Sequence, residues 1–204
     1  MKVTYLGHAC FLIEGEEKSV VTDPFSDIGY TVERVSADYC TVSHGHFDHS
    51  YTDGVSVKEI VDSSKPSFLA IKSYHDANLG ALRGENTIFK FDIDGVTFCH
   101  LGDLGEFFTN DLVEEIGEVD VLFIPVGGTY TIDYKEAVKY ANAINAKITV
   151  PMHYKTPKSQ IDINGVEDFL RRMPGVTRVA KSVDIKEFLS LDENIVLVFD
   201  SSDF

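Results

Sequence analysis

Residues 44–49 read His-Gly-His-Phe-Asp-His, three imidazoles and one carboxylate within six positions. Imidazole and carboxylate are ligands for Zn, Mn or Fe. The second nitrogen of each ring also needs a partner. So many polar groups in one place are costly to pack unless something binds them. Tyr39-Cys40-Thr41-Val42-Ser43 leads into the cluster as a short β-like run. The ligand-capable residues therefore begin where a strand stops, and Gly45 permits a sharp turn there. Whatever fold the chain adopts must aim this strand end at a metal site and bring further ligands to it.

The 204 residues fit one domain spanning 1–204, with 44% hydrophobic and 25% charged residues and no low-complexity stretch. The net charge of −15 disfavours nucleic acid and anionic membrane surfaces, which attract Lys- and Arg-rich proteins. Cys10, Cys40 and Cys99 are far apart and each lies in an apolar run. Their odd count suggests buried reduced thiols and a reducing compartment. No signal peptide and no membrane-spanning run is apparent, so the expected location is the cytoplasm.

The first half reads as strands at 3–6, 10–14 and 19–22, with helical composition at 53–62 and a strand at 67–71. Strands at 88–93 and 96–101 flank Asp94-Gly95, a strong hairpin signal. The second half alternates helices at 111–116, 133–144 and 166–173 with strands at 120–126, 147–150, 176–180 and 195–199. Thr109 or Asn110, Asp133 with Glu136, and Asn164 with Glu167 supply the N-terminal caps.

One hexapeptide cannot complete a multi-metal site, and only seven His exist. His75 and His153 each follow a strand, and Asp103 follows the second strand of the hairpin. Taken singly, an Asp between glycines is a turn residue and a His after a strand is a solvated one. Beside the hexapeptide, all three become candidates to complete the ligand set.

With these residues in place, the chain resembles the metallo-β-lactamase superfamily. The family motif His-x-His-x-Asp-His stands here as His44-Gly45-His46-Phe47-Asp48-His49. The later family ligands are matched, in order, by His75, Asp103 and His153. Gly7-His8-Ala9-Cys10-Phe11, Thr22-Asp23-Pro24 and Pro151-Met152-His153-Tyr154 resemble the branch that includes L-ascorbate-6-phosphate lactonase.

The resemblance implies an α/β (α+β) chain folded as an αββα sandwich: two mixed β-sheets packed face to face and flanked by helices, with the site along one edge. It implies two divalent ions, zinc ahead of manganese or iron. His44, His46 and His75 would hold one, Asp48, His49 and His153 the other, and Asp103 would bridge them. A shared water would become hydroxide near neutral pH and attack an acyl or phosphoryl centre, with Asp48 as catalytic ligand. Asp23 would support a ligand His. His8 would contact substrate or ligands. His100, Tyr130 and Tyr154 are better explained by packing.

The expected activity is hydrolysis of a small, anionic ester, lactone or phosphodiester, with a small molecule rather than nucleic acid or membrane as partner. A nuclease or cyclic-nucleotide phosphodiesterase on the same site is the first alternative, although the acidity of the chain opposes a long polyanion. Diiron redox chemistry is opposed by His46, where such relatives carry Glu. A non-catalytic structural site would need only four ligands, and seven candidates exceed that. Substrate choice would rest with loops 26–36, 74–83 and 127–132.

Overall fold

The computed structural model describes residues 1–62, 65 and 67–204. Its first sheet has six strands: β1 (Lys2–Gly7), β2 (Cys10–Glu14), β3 (Ser19–Thr22), β4 (Ser36–Thr41), β5 (Ser56–Val61) and β12 (Ser182–Asp184), in the order β12-β1-β2-β3-β4-β5. The second has seven: β6 (Phe68–Tyr74), β7 (Glu85–Ile93), β8 (Val96–His100), β9 (Val121–Pro125), β10 (Ile148–Met152), β11 (Val176–Val179) and β13 (Ile195–Phe199), in the order β11-β13-β10-β9-β8-β7-β6. Both sheets are mixed: β3, β4 and β5 pair in parallel in the first, and β8 to β11 with β13 in the second.

Alternating side chains set the layers. Tyr5, Phe11, Ile13 and Val20 of the first sheet meet Phe91, Phe98, Phe123 and Val150 of the second in a shared core. Phe11, Ile13, Phe98 and Phe123 are fully buried, each contributing about 1.5–3 kcal/mol. The outer face of the second sheet, with Ile71, Ile88, Leu122 and Ile124, is covered by α1 (Asn110–Ile116), α2 (Tyr134–Ile144) and α3 (Glu167–Leu170). Helix α2 buries Ala137, Tyr140, Ala141 and Ile144, one stripe at helical spacing. Asp133 caps it by accepting from the Lys135 and Glu136 N–H groups, and Thr109 caps α1 by accepting from Leu112 N–H. On the outer face of the first sheet, Leu6, Cys10, Leu12 and Val21 pack under Phe25, Ile28, Val32 and Val55, which lie outside regular helices.

Two local expectations fail. Residues 53–62 do not form a helix: Ser56–Val61 is β5, paired in parallel with β4. Its charged residues sit on an exposed edge strand, where Lys and Glu are tolerated, and Val57, Ile60 and Val61 carry the β preference. Helix α3 is only four residues long and has no side-chain cap; the Asn164 amide instead donates to the Gly127 carbonyl at 3.0 Å. The short β12 and α4 (Lys186–Leu189) left no readable signal.

The topology fixes where the candidate residues go. Strand β1 is antiparallel to β2, β2 is antiparallel to β3, and β3 is parallel to β4, so β1, β3 and β4 run the same way. By the same reasoning β6, β8 and β10 run together. The carboxyl ends of each set share one edge of their sheet, and those ends lead into His8, Asp23, His44, His75, Asp103 and His153. The two edges meet where Thr87 N–H of β7 donates to the Ser43 carbonyl at 2.9 Å.

Candidate metal centre

The loop after β4 is pinned from below by Asp23. One oxygen of this fully buried carboxylate accepts from the Ser43 N–H at 2.8 Å. The other accepts from the Ser43 hydroxyl at 2.6 Å and from His49 Nδ1 at 2.9 Å. The Ser43 hydroxyl has a single proton, already given to Asp23. His44 Nδ1, 2.9 Å from that oxygen, is therefore the donor to it. His75 Nδ1 donates to the Tyr130 carbonyl at 3.1 Å. In all three rings Nδ1 holds a proton toward its partner, so Nε2 is the nitrogen turned into the site, where a metal would take its lone pair.

These lone pairs converge with those of other residues from both sheets. Ligand-capable atoms of His44, His46 and His75 all lie within 4.8 Å of one another, as do those of His8, Asp48, His49 and His153, and those of His44, His49 and Asp103. Asp103 stands between the groups. Its Oδ1 is 3.1 Å from His49 Nε2. Its Oδ2 is 3.2 Å from His153 Nε2, 3.3 Å from His75 Nε2 and 4.0 Å from His44 Nε2. All seven residues expected as ligands are thus brought together, and His8 joins them with Nε2 3.4 Å from Asp48 Oδ2.

Close approach here is not hydrogen bonding. His8 Nε2, His44 Nε2, His49 Nε2, Asp103 Oδ1 and both ring nitrogens of His153 are buried without a hydrogen-bond partner among the described residues. The 3.1 Å between His49 Nε2 and Asp103 Oδ1 lacks the alignment of a bond. Buried polar atoms without partners are costly. A cation at the convergence point would satisfy them together, so the residues fit a metal.

Electrostatics agree. Burial alone would push His49 down, yet Asp103 and Asp23 hold it well above the ordinary histidine range. Burial would raise Asp103, and His153 and His49 hold it well below the usual carboxylate range. Asp48 is likewise depressed against its burial, through His8 and His49. His44, with burial and the neighbouring His49 acting together, falls to about 3, and His8, through burial and His153, to about 4. The buried carboxylates thus demand positive charge, which His49 meets here and a metal ion would meet in its place, while His8 and His44 are held toward the neutral form that metal ligation requires.

Two supports escaped the sequence reading. Asn86, 1% exposed, accepts from the Asp103 N–H at 2.9 Å and donates to the Leu101 carbonyl and Ser73 hydroxyl. An Asn amid Ile and Phe in a strand runs against β propensity, and that was the available signal. Ser43 couples Asp23 to His44, and its place directly before the hexapeptide could have marked it. Gly102, with φ +55°, brings the Asp103 loop against both: a Cβ there would lie 2.4 Å from Asn86 Oδ1 and 2.5 Å from Ser43 Cβ. His100 is a satisfied core residue, with Nε2 donating to the Ala9 carbonyl and Nδ1 accepting from Gly102 N–H. Tyr154 is buried and stacks on Tyr5.

The centre opens into a cavity of about 550 Å³ whose lining includes His46, Asp48, His75, Arg83, Asp103 and Tyr130. The three loops expected to shape the pocket each contribute, and residues 160–162 join them unforeseen.

Residues 2–153 match the model of the beta-lactamase superfamily domain. A UPF0173 metal-dependent hydrolase of Carboxydothermus hydrogenoformans is 30% identical over 206 residues, covering 82% of this chain and 91% of that protein. A namesake from Methanoregula boonei is 30% identical over 220 residues, covering 93% and 94%. Among solved structures, a protein of Thermotoga maritima assigned as a Zn-dependent hydrolase of the metallo-β-lactamase superfamily superposes with a TM-score of 0.79 at 39% identity, covering 97% of both chains.

Proposed function

Because the chain belongs to the β-lactamase superfamily and is a metal-dependent hydrolase, we propose that its centre is dinuclear and cleaves a small, anionic ester, lactone or phosphodiester. The observation that carries this reading is the position of Asp103, whose two oxygens face different histidines at the junction of the ligand groups. His44, His46 and His75 would hold one ion, and Asp48, His49 and His153 the other, with Asp103 shared. Such ions supply Lewis acidity toward substrate oxygens and a water deprotonated near neutral pH.

The chain's own residues do the rest. Asp23 for His49, the Ser43 hydroxyl for His44 and the Tyr130 carbonyl for His75 each take the Nδ1 side of the ring, so that Nε2 faces inward. Asp48 borders the cavity with His8 Nε2 3.4 Å from its Oδ2, a neighbour that would steady the carboxylate toward the ion it holds. Phe47, Ile28 and Ile161 give the cavity lining an apolar part. A cavity of about 550 Å³ suits a small molecule, and a net charge of −15 opposes a long polyanion. Zinc is the first expectation, ahead of manganese or iron. The three buried free cysteines support a reducing, cytoplasmic setting.

The test joins metal analysis of the purified protein to a screen of lactones, carboxyl esters and small phosphodiesters against structured RNA. The expected result is two ions per chain and turnover of a small substrate, rising with pH through about 7 for the zinc form. Efficient RNA cleavage at physiological salt without turnover of any small ester or diester would reject the reading.

A further inference from the structure

One wall of the cavity carries a positive charge that the metal reading leaves unused. The loop between β6 and β7 is built around Asp76, a buried carboxylate. It accepts from the backbone N–H groups of Asn78 (2.8 Å), Leu82 (2.9 Å) and Arg83 (2.8 Å). The His75 N–H donates to the Gly84 carbonyl at 3.1 Å and closes the loop at its base. Arg83 is therefore presented from a fixed frame beside a candidate ligand.

Its guanidinium lies over the Tyr130 ring, 5.4 Å from the centroid, and the Tyr130 carbonyl is the acceptor for His75 Nδ1. Among the described residues Arg83 has this aromatic face and no carboxylate in ion-pair contact. An Arg stacked on a ring keeps its N–H edge free for a bidentate acceptor. The wall formed where Gln160 N–H donates to the Ile28 carbonyl at 2.7 Å is different. It carries the exposed carboxylates Asp27 and Asp162.

Resting on the hydrolase reading above, we propose that Arg83, backed by Tyr130, is the specificity residue that reads an anionic group, carboxylate or phosphate, on the substrate. Asp27 and Asp162 reject a second anionic group, so the site takes a substrate charged at one end. The anion docks by paired N–H···O bonds to the guanidinium while the scissile bond lies over the ligand cluster.

The experiment compares matched esters that are neutral, carboxylated or phosphorylated at one end, and phosphorylated at both ends. They are assayed with the metal-loaded wild type, Arg83→Met and Arg83→Lys. In Arg83→Met, KM for the singly charged esters should rise about tenfold or more, with kcat, metal content and the KM of the neutral ester unchanged. Arg83→Lys should fall between, because it keeps the charge and loses the fork. The carboxylate and phosphate arms show which anion is preferred. Asp27→Asn with Asp162→Asn should improve the doubly charged ester alone. Calorimetric binding of phenylphosphonate needs no turnover, and its affinity should fall about tenfold in Arg83→Met. Equal effects of Arg83→Met on neutral and charged esters, or unchanged phenylphosphonate affinity, would overturn the assignment. A wild type that binds phenylphosphonate through Arg83 yet hydrolyses no ester, lactone or small phosphodiester would instead sink the substrate class proposed above.

Discussion

The six-stranded sheet delivers His44, His46, Asp48 and His49 from one hexapeptide, whereas the seven-stranded sheet delivers His75, Asp103 and His153 from three separate strand ends. Their supports differ as well. On the first side a single buried carboxylate, Asp23, fixes the Ser43 backbone, the Ser43 hydroxyl and His49, and through the hydroxyl also His44. On the second side each residue has its own anchor. His75 donates to the Tyr130 carbonyl, the Asp103 N–H to Asn86, and the His153 N–H to the His8 carbonyl. A contiguous motif is economical and vulnerable at one point, while dispersed ligands degrade one at a time.

The largest effect is expected at Asp103, which faces both groups. Asp103→Ala should lower bound metal from two ions per chain to one or fewer. Turnover should fall by more than the roughly 10–100-fold typical of losing an outer support. Circular dichroism should be unchanged, because the inter-sheet core does not depend on metal, unlike a zinc finger. Unfolding on chelation would contradict this and point to a structural site.

Asp23→Ala comes next and probes the shared support directly. Metal affinity should drop about 10–100-fold, and the loss should resemble damage to both His44 and His49. If only one ion is weakened, the single-support account of the first side is wrong. Asn86→Leu tests the dispersed side. It frees one ligand loop and leaves the buried Asp103 N–H and Leu101 carbonyl without their partner, at about 1–3 kcal/mol in stability. Chemical denaturation together with metal titration should therefore show a stability loss of this size with a smaller loss of metal than Asp23→Ala.

The smallest effect compares the cysteines of the two outer faces. Burial pushes the Cys40 thiol of the first sheet and the Cys99 thiol of the second up to about 12, and Cys10 also well above the ordinary value. A thiol raised in the folded state favours folding below its unfolded value, near 9, and that contribution is lost as pH climbs toward 12. Stability measured by denaturation should thus decline between about pH 9 and 12. Iodoacetamide at pH 8 should label no cysteine until the protein is unfolded. Labelling of Cys40 but not Cys99 would show that the loop-covered face opens more readily than the helix-covered one.

The sequence carried the first side of the centre almost completely, because residue type and adjacency are both visible in a linear string. His75, Asp103 and His153 were readable as strand-end residues, but their convergence depends on strand direction, which pairing decides. Asn86 and Arg83 act through contacts across loops and sheets, and neither stands beside a motif. The Asp94-Gly95 hairpin and the Asp133 cap were legible because turns and caps are chosen locally. Strand β5 was misread because its exposed charges look helical, and only its place at a sheet edge explains them.

All six strands that carry the centre point the same way within their sheets, which leaves the molecule with a rim opposite its chemistry. The β2–β3 turn belongs to that rim, and Glu17 within it is exposed. Since the native thiols are buried, Glu17→Cys would create a single readily modified sulfur. The enzyme could then be tethered to a surface in one orientation, with its cavity facing solvent and its turnover intact.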